Sequence, residues 1–307
     1  MNDLRGLVES YLRVRRAMGF RLEEDERILG LYLRFLHEKH YPEQSLANTL
    51  EWAGTGSSSS VMSIRVSMVR KFVRWAQPFN PQLEPIPQRL LPLKTHRATP
   101  YIYLPEQTAA LMDRAARLPQ RHRAATYWTL LGLLSCTGMR VGEALRLDCP
   151  NVHDGLIHIH HSKFGVPRVI PIEPGTVQAL DHYARLRDEK FPYPGTEAFF
   201  VSLRGTRLIY NNVHITVQEL LKAAGIEAAT KQCGPRIHDF RHTFATSTLR
   251  GAHLAGRDPA QILPILATYL GHRSVHGTYW YLEAESALLD AAAQRVPLLL
   301  TPNGEPS

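Results

Sequence analysis

Residues 77–100 hold six prolines, Pro78, Pro81, Pro85, Pro87, Pro92 and Pro100, in 24 positions. Proline fixes φ and has no backbone N–H, so neither a continuous helix nor a central strand runs through such a stretch. The segment reads as an extended linker that cuts the 307-residue chain into two bodies. With 44% hydrophobic residues, both pieces are able to bury a core. The expected division is a helical domain over 1–80, a proline-rich linker over 81–100, a larger domain over 101–298 and a disordered tail over 299–307.

Before the linker the pattern is helical. Residues 3–18 and 23–40 are amphipathic, with Ile28, Leu29, Tyr32, Leu33, Phe35 and Leu36 recurring at helical spacing until Tyr41-Pro42. A third helix is expected over 44–53. A Gly-Thr-Gly-Ser run then ends in good N-cap residues, and a fourth helix follows over about 60–76. Ile64, Met68, Phe72 and Trp75 are its expected core stripe. Arg65, Arg70, Lys71 and Arg74 lie mostly off that stripe, as a solvated face or as a surface for DNA.

After the linker, helices are expected over 104–118, 123–136, 174–190, 212–224, 238–250, 259–270 and 284–295. Between them the period changes to two. Leu156-Ile157-His158-Ile159-His160 alternates, Phe164-Gly165 marks a turn, and Arg168-Val169-Ile170-Pro171-Ile172 continues extended, which is a β-hairpin. The fold class is therefore mainly α with a small antiparallel β-sheet, in two domains.

The formal net charge is +8. Residues 1–95 carry 14 basic and 10 acidic side chains, and residues 96–307 carry 22 and 18, so no basic tail holds the excess. That balance favours an anionic partner, most simply nucleic acid, engaged by both parts. Three cysteines, Cys136, Cys149 and Cys233, form no CxxC pair and fit a reducing cytoplasm. No signal-peptide h-region and no apolar run of spanning length is read.

Four local patterns carry chemistry. Thr137-Gly138-Met139-Arg140-Val141-Gly142-Glu143 ends one helix and starts another at Arg140, whose guanidinium suits a phosphate. Glu143 would hold that guanidinium or cap the helix. Lys163 sits at the hairpin turn. Arg236-Ile237-His238-Asp239-Phe240-Arg241-His242 places Phe240, Phe244 and Thr248 on one helix face, and His238 with Arg241 on another. Leu270-Gly271-His272 ends a helix, and Tyr279-Trp280-Tyr281 follows seven to nine residues later. His158, His160 and the neighbouring His161 lack a Cys or carboxylate at zinc-ligand spacing and read as solvated or DNA-facing.

Taken in order, Arg140, Lys163, His238-x-x-Arg241, Leu-Gly-His272 and Tyr281 resemble the catalytic signature of the tyrosine recombinase (phage integrase) family. The resemblance is specific over about 137–283 and looser over the N-terminal part, which looks like that family's core-binding domain. The Tyr-Trp-Tyr-Leu ending is similar to transposon-associated recombinases, including multi-recombinase elements. The resemblance implies a site-specific DNA recombinase that cuts and rejoins strands through a 3′-phosphotyrosyl link to Tyr281, without metal, ATP or other cofactor. It implies Arg140 and Arg241 on the phosphate, Lys163 as general acid, His238 assisting proton removal and His272 as a hydrogen-bond donor. Glu143 and Tyr279 would stand behind them, with Tyr279 the rival nucleophile. Arg65, Arg70, Lys71, Arg74, Arg168, Arg236 and His242 are the candidate DNA contacts. The two domains would clamp a duplex. The 284–295 helix would pack on a neighbouring copy in a tetramer on DNA, alone or with partner recombinases, in the bacterial cytoplasm and on its nucleoid.

Two other readings use the same residues. A DNA-binding regulator on this fold would have lost catalysis, yet all six expected positions are filled. A type IB topoisomerase would share the chemistry, but the short helical N-terminal domain and the Leu-Gly-His motif favour a recombinase. No RNA-recognition module is visible.

Overall fold

The computed structural model describes residues 2–20, 22–88, 90, 100–160, 167–193, 195–227 and 234–272. The chain divides into two compact units, Met1–Arg97 and Ala98–Ser307.

The first unit holds α1 (Asn2–Ala17), α2 (Glu23–Glu38), α3 (Leu46–Gly54) and α4 (Ser59–Ala76). Local causes set where three of them start. Four acidic residues open α2 at the positive end of its dipole. Ser45 and Asn48 form a reciprocal capping box on α3, and the Ser58 side chain caps α4. The core joins Val8, Tyr11 and Leu12 to Leu29, Tyr32, Trp52, Val69, Phe72 and Val73. The buried Tyr32 hydroxyl lies 2.8 Å from both Asn48 Oδ1 and Thr49 Oγ1.

Two expectations change here. The buried stripe of α4 runs through Val66, Val69, Val73 and Ala76 beside Met68 and Phe72, while Ile64 points outward, 53% exposed. Trp75 is half-buried against Tyr11 and Phe79. The start of the proline-rich stretch is also not a bare linker. Leu83 and Ile86 are buried in the same core. The Gln44 side chain donates to Glu84 O, and the Leu46 N–H donates to the Glu84 carboxylate.

The second unit contains α5 (Pro105–Ala116), α6 (Arg121–Thr137), the single turn α7 (Val141–Ala144), β1 (Val152–His153), β2 (Leu156–Ile159), β3 (Arg168–Pro171), α8 (Pro174–Lys190), α9 (Tyr210–Ala223), α10 (Asp239–Leu254) and α11 (Pro259–Leu270). Prolines at the first helical positions open α5, α8 and α11, where the missing N–H is no loss. The strands form one antiparallel sheet in the order β1-β2-β3. The expected hairpin pairs Ile157 with Ile170 and Ile159 with Arg168, and β1 is a further strand that sequence periodicity missed.

α6 is buried over much of its circumference and runs through the core, with Tyr127, Leu130, Leu131, Leu133 and Leu134 buried. Phe199, Phe200, Tyr183 and Ile170 close the core over it. Hence the end of α6, at Thr137–Gly138, is held on a rigid base. Among the described residues no helix is long and apolar enough to cross a membrane. The expected 284–295 helix and the tail lie outside the described residues.

Candidate active site

The site starts at the end of α6. Gly138 takes the left-handed conformation, φ 58°, that closes the helix. A Cβ there would lie 2.5 Å from the Phe244 ring, so both backbone and packing require glycine. The chain then turns extended at Arg140, the cap of α7.

Glu143 is the hub. Its side chain is 1% exposed, and each of its oxygens accepts two hydrogen bonds. Oε1 takes Arg140 Nη1 at 2.9 Å and Arg168 Nη1 at 3.2 Å. Oε2 takes the Arg140 backbone N–H at 3.0 Å and Arg168 Nη2 at 2.8 Å. Burial by itself would raise this carboxyl. The Arg168 fork and the Arg140 contacts outweigh burial and hold it below the usual carboxylate range. Thus Glu143 both orients Arg140 and caps the helix.

A second arginine arrives from α10. His238 caps this helix and is exposed, whereas Arg241 is buried at 2%. The imidazole and the guanidinium, expected together on one helix face, thus differ in exposure. Arg241 donates to Gly138 O at 3.0 Å and to Leu270 O at 2.7 Å, so it ties the ends of α6 and α11 together. The start of α10 is fixed by Asp239, fully buried, which accepts from the Arg236 backbone and side chain. Burial pushes the Asp239 carboxyl up, against the lowering effect of those Arg236 contacts. Tyr103 stacks on Phe240 at 4.5 Å, and its hydroxyl donates to Arg236 O.

α11 supplies the meeting point. It ends at Gly271, φ 69°. Three consecutive carbonyls there accept from three arginines on different elements: Tyr269 O from Arg168 Nε at 3.0 Å, Leu270 O from Arg241, and Gly271 O from Arg140 Nη2 at 3.4 Å. A helix C-terminus carries partial negative charge, so it gathers these cations without cancelling them. The half-buried His272 follows directly, its backbone N–H donating to Ala267 O. Tyr269 is not available as a nucleophile, because its ring packs on Phe244 and burial pushes its hydroxyl up to about 12.

The structure therefore brings Arg140, Glu143, Arg241 and His272 together, with His238 on the cap of α10. Lys163, Tyr279 and Tyr281 lie outside the described residues. Among the residues read as DNA contacts, Lys71 and Arg74 are exposed, and Arg70 is half-buried. Arg65 donates to Trp52 O and Thr55 Oγ1 and lies over the Trp52 ring. Arg168 turns its guanidinium onto Glu143 and the end of α11. Arg236 stays largely exposed while forking onto Asp239. His242 is half-buried with its ring edge-on to His238 at 5.6 Å. His153, His158 and His160 stack in a row rather than converging on a point. Among the described residues no group of three or more His, Cys, Asp or Glu is placed to hold a metal ion.

Sequence reading named Arg168 only as a candidate DNA contact and gave Asp239 no role in the site. The signal for Arg168 was present, because it shares a strand face with Ile170, which is fully buried.

The second unit is thus mainly helical with one small sheet, and arginines from separate elements gather at its Leu-Gly-His turn. The phage integrase family model matches residues 103–287, and the chain belongs to that family, the tyrosine recombinases. It is 36% identical over 306 residues to the putative integrase/recombinase y4rB of Sinorhizobium fredii (strain NBRC 101917 / NGR234), covering 96% of this chain and 98% of that one. It is 28% identical over 250 residues to the tyrosine recombinase XerC of Corynebacterium glutamicum, covering 80% and 76%. Among solved structures, the Tn1549 transposon integrase in complex with transposon right end DNA shares the fold, with a TM-score of 0.66 at 17% identity over 95% of this chain and 98% of that one. XerH bound to its difH substrate does so with a TM-score of 0.64 at 18% identity, over 89% and 79%.

Proposed function

We propose that the chain is a site-specific DNA recombinase that breaks and rejoins strands through Tyr281. The observation that carries this reading is the convergence of Arg140 and Arg241, from different helices, on the Leu270–Gly271 carbonyls beside His272. Such an arrangement is preorganised for the extra negative charge that a phosphodiester gathers in its transition state. Each fixed donor of this kind is worth about 10²–10³ in rate.

The Tyr281 hydroxyl attacks phosphorus, the 3′-phosphotyrosyl bond forms, and the bond to the 5′ oxygen breaks. A tyrosine hydroxyl ordinarily ionises near pH 10, so His238 takes its proton. Lys163 protonates the leaving 5′ oxygen, while Arg140, Arg241 and His272 hold the non-bridging oxygens. The guanidinium groups supply the charge that a metal supplies in other phosphoryl-transfer sites. The phosphotyrosine keeps the bond energy, so the scheme calls for neither a metal nor ATP. A 5′-hydroxyl from a partner strand reverses the step. The partner is double-stranded DNA carrying specific sites, and exchange requires several copies on it, a tetramer in this reading. The relatives bearing the names integrase, XerC and transposon integrase support this class of reaction.

The test is covalent trapping on nicked DNA from the ends of the element that encodes the chain. A protein–DNA adduct on a denaturing gel is expected from the wild type and from Tyr279→Phe, and none from Tyr281→Phe. An adduct lost only in Tyr279→Phe moves the nucleophile. No adduct from any variant that still binds the site tightly favours a DNA-binding regulator on this fold.

A further inference from the structure

The geometry points to Arg168 as a positioning residue of the cleavage site, holding Glu143 and the end of α11 so that Arg140 and His272 face one phosphate. The inference rests on the recombinase reading above and adds to it a residue to which that reading gives no part in the chemistry.

Arg168 opens β3, and its side chain is 9% exposed. Each of its three guanidinium nitrogens donates to an oxygen of the protein: two to Glu143 and one to Tyr269 O. Its fork is thus turned inward, onto Glu143 and the end of α11. It also lies against Gly271, where a Cβ would stand 2.8 Å from its Nη1. The residue next to Gly271 is His272. One side chain thus fixes the carboxylate that orients Arg140 and the turn that carries His272.

Charge gives the second part of the role. Two guanidinium groups share the single Glu143 carboxylate, so the trio is left with a net positive charge. Without Arg168 the remaining Arg140–Glu143 pair is neutral, and the field that Arg140 lends to a phosphate is largely cancelled. Arg168 therefore keeps Glu143 from quenching the arginine it orients.

Single-turnover trapping on nicked DNA, with equilibrium binding to the same DNA, tests this on the full chain. The variants are Arg168→Lys, Arg168→Met and the double variant Arg168→Met/Glu143→Gln. Arg168→Met is expected to slow cleavage by about 10²-fold with affinity retained, as a small misplacement of catalytic groups does. Arg168→Lys, which keeps the charge but not the fork, should fall between. The double variant should recover part of the rate, since the carboxylate that offsets Arg140 is gone. If Arg168→Met does not fold, Arg168→Lys with and without Glu143→Gln makes the same comparison. A loss of affinity with a shallower salt dependence, and normal cleavage once bound, would instead make Arg168 a phosphate contact. A double variant no faster than the single would reduce it to a structural residue. Should the wild type give no adduct, the recombinase reading fails by itself, and thermal melts still judge the coupling. Arg168→Met must then lower the melting temperature more in the wild-type background than in the Glu143→Gln background. Equal losses in the two backgrounds overturn the proposal.

Discussion

Glu143 is a buried anion whose ionisation is bound up with folding. It accepts four hydrogen bonds from two arginines, and its carboxyl sits below the usual range in the folded chain. The stability it adds is therefore full above the unfolded carboxyl value of about 4.3 and is lost as pH falls through the lower, folded value. Glu143→Gln leaves both arginines without their anion and is expected to cost about 3–5 kcal/mol at neutral pH. Thermal melts from about pH 6 down to about pH 2 should show the gap to wild type closing. A gap that stays constant would mean that the folded chain does not hold Glu143 as a carboxylate. Asp239 behaves in the opposite sense, because burial raises its carboxyl despite Arg236, so its contribution weakens as pH rises through the folded value.

Among the elements, α11 has a role that depends on its length. Its last carbonyls receive three arginines, so what matters there is where the backbone ends. One alanine inserted after Leu266 would turn those carbonyls by about 100° and advance them by about 1.5 Å. Cleavage should fall by about 10²-fold or more, as for a misplaced site. Tyr269→Phe and Leu270→Met leave the carbonyls in place and should keep most of the activity in the same trapping assay. Activity that survives the insertion would separate α11 from the site. The spans of α8 and α11 were legible in the sequence, residue for residue, because proline opens each and a glycine or a charged turn closes it. Arg140 and Glu143 were legible as a pair three residues apart. The buried face of α4 was not, because Ile64 and Val66 begin two equally apolar stripes and only packing against the other helices selects one. Nor was the burial of Arg241, which is set by carbonyls 103 and 29 residues away in the chain. β1, two residues long, is too short to display a period.

At the scale of the whole chain, the net charge of +8 is shared between the two halves, which fits a partner that both engage. Among the described residues, the cores on either side of the proline-dense segment have no side chain in common. Yet its first residues belong to one of them, through Leu83, Ile86 and the contacts of Glu84. This decides where a protease can enter. A cut at residue 80 would strip two side chains worth about 1.5–3 kcal/mol each from the smaller core. It would also leave Gln44 and the Leu46 N–H without their Glu84 partners. Limited digestion read by mass is expected to release an N-terminal fragment that ends beyond Ile86, and one ending before Leu83 would contradict this packing. The smallest autonomous N-terminal piece thus carries its own strap, and the cuttable length between the two halves is shorter than the run of prolines.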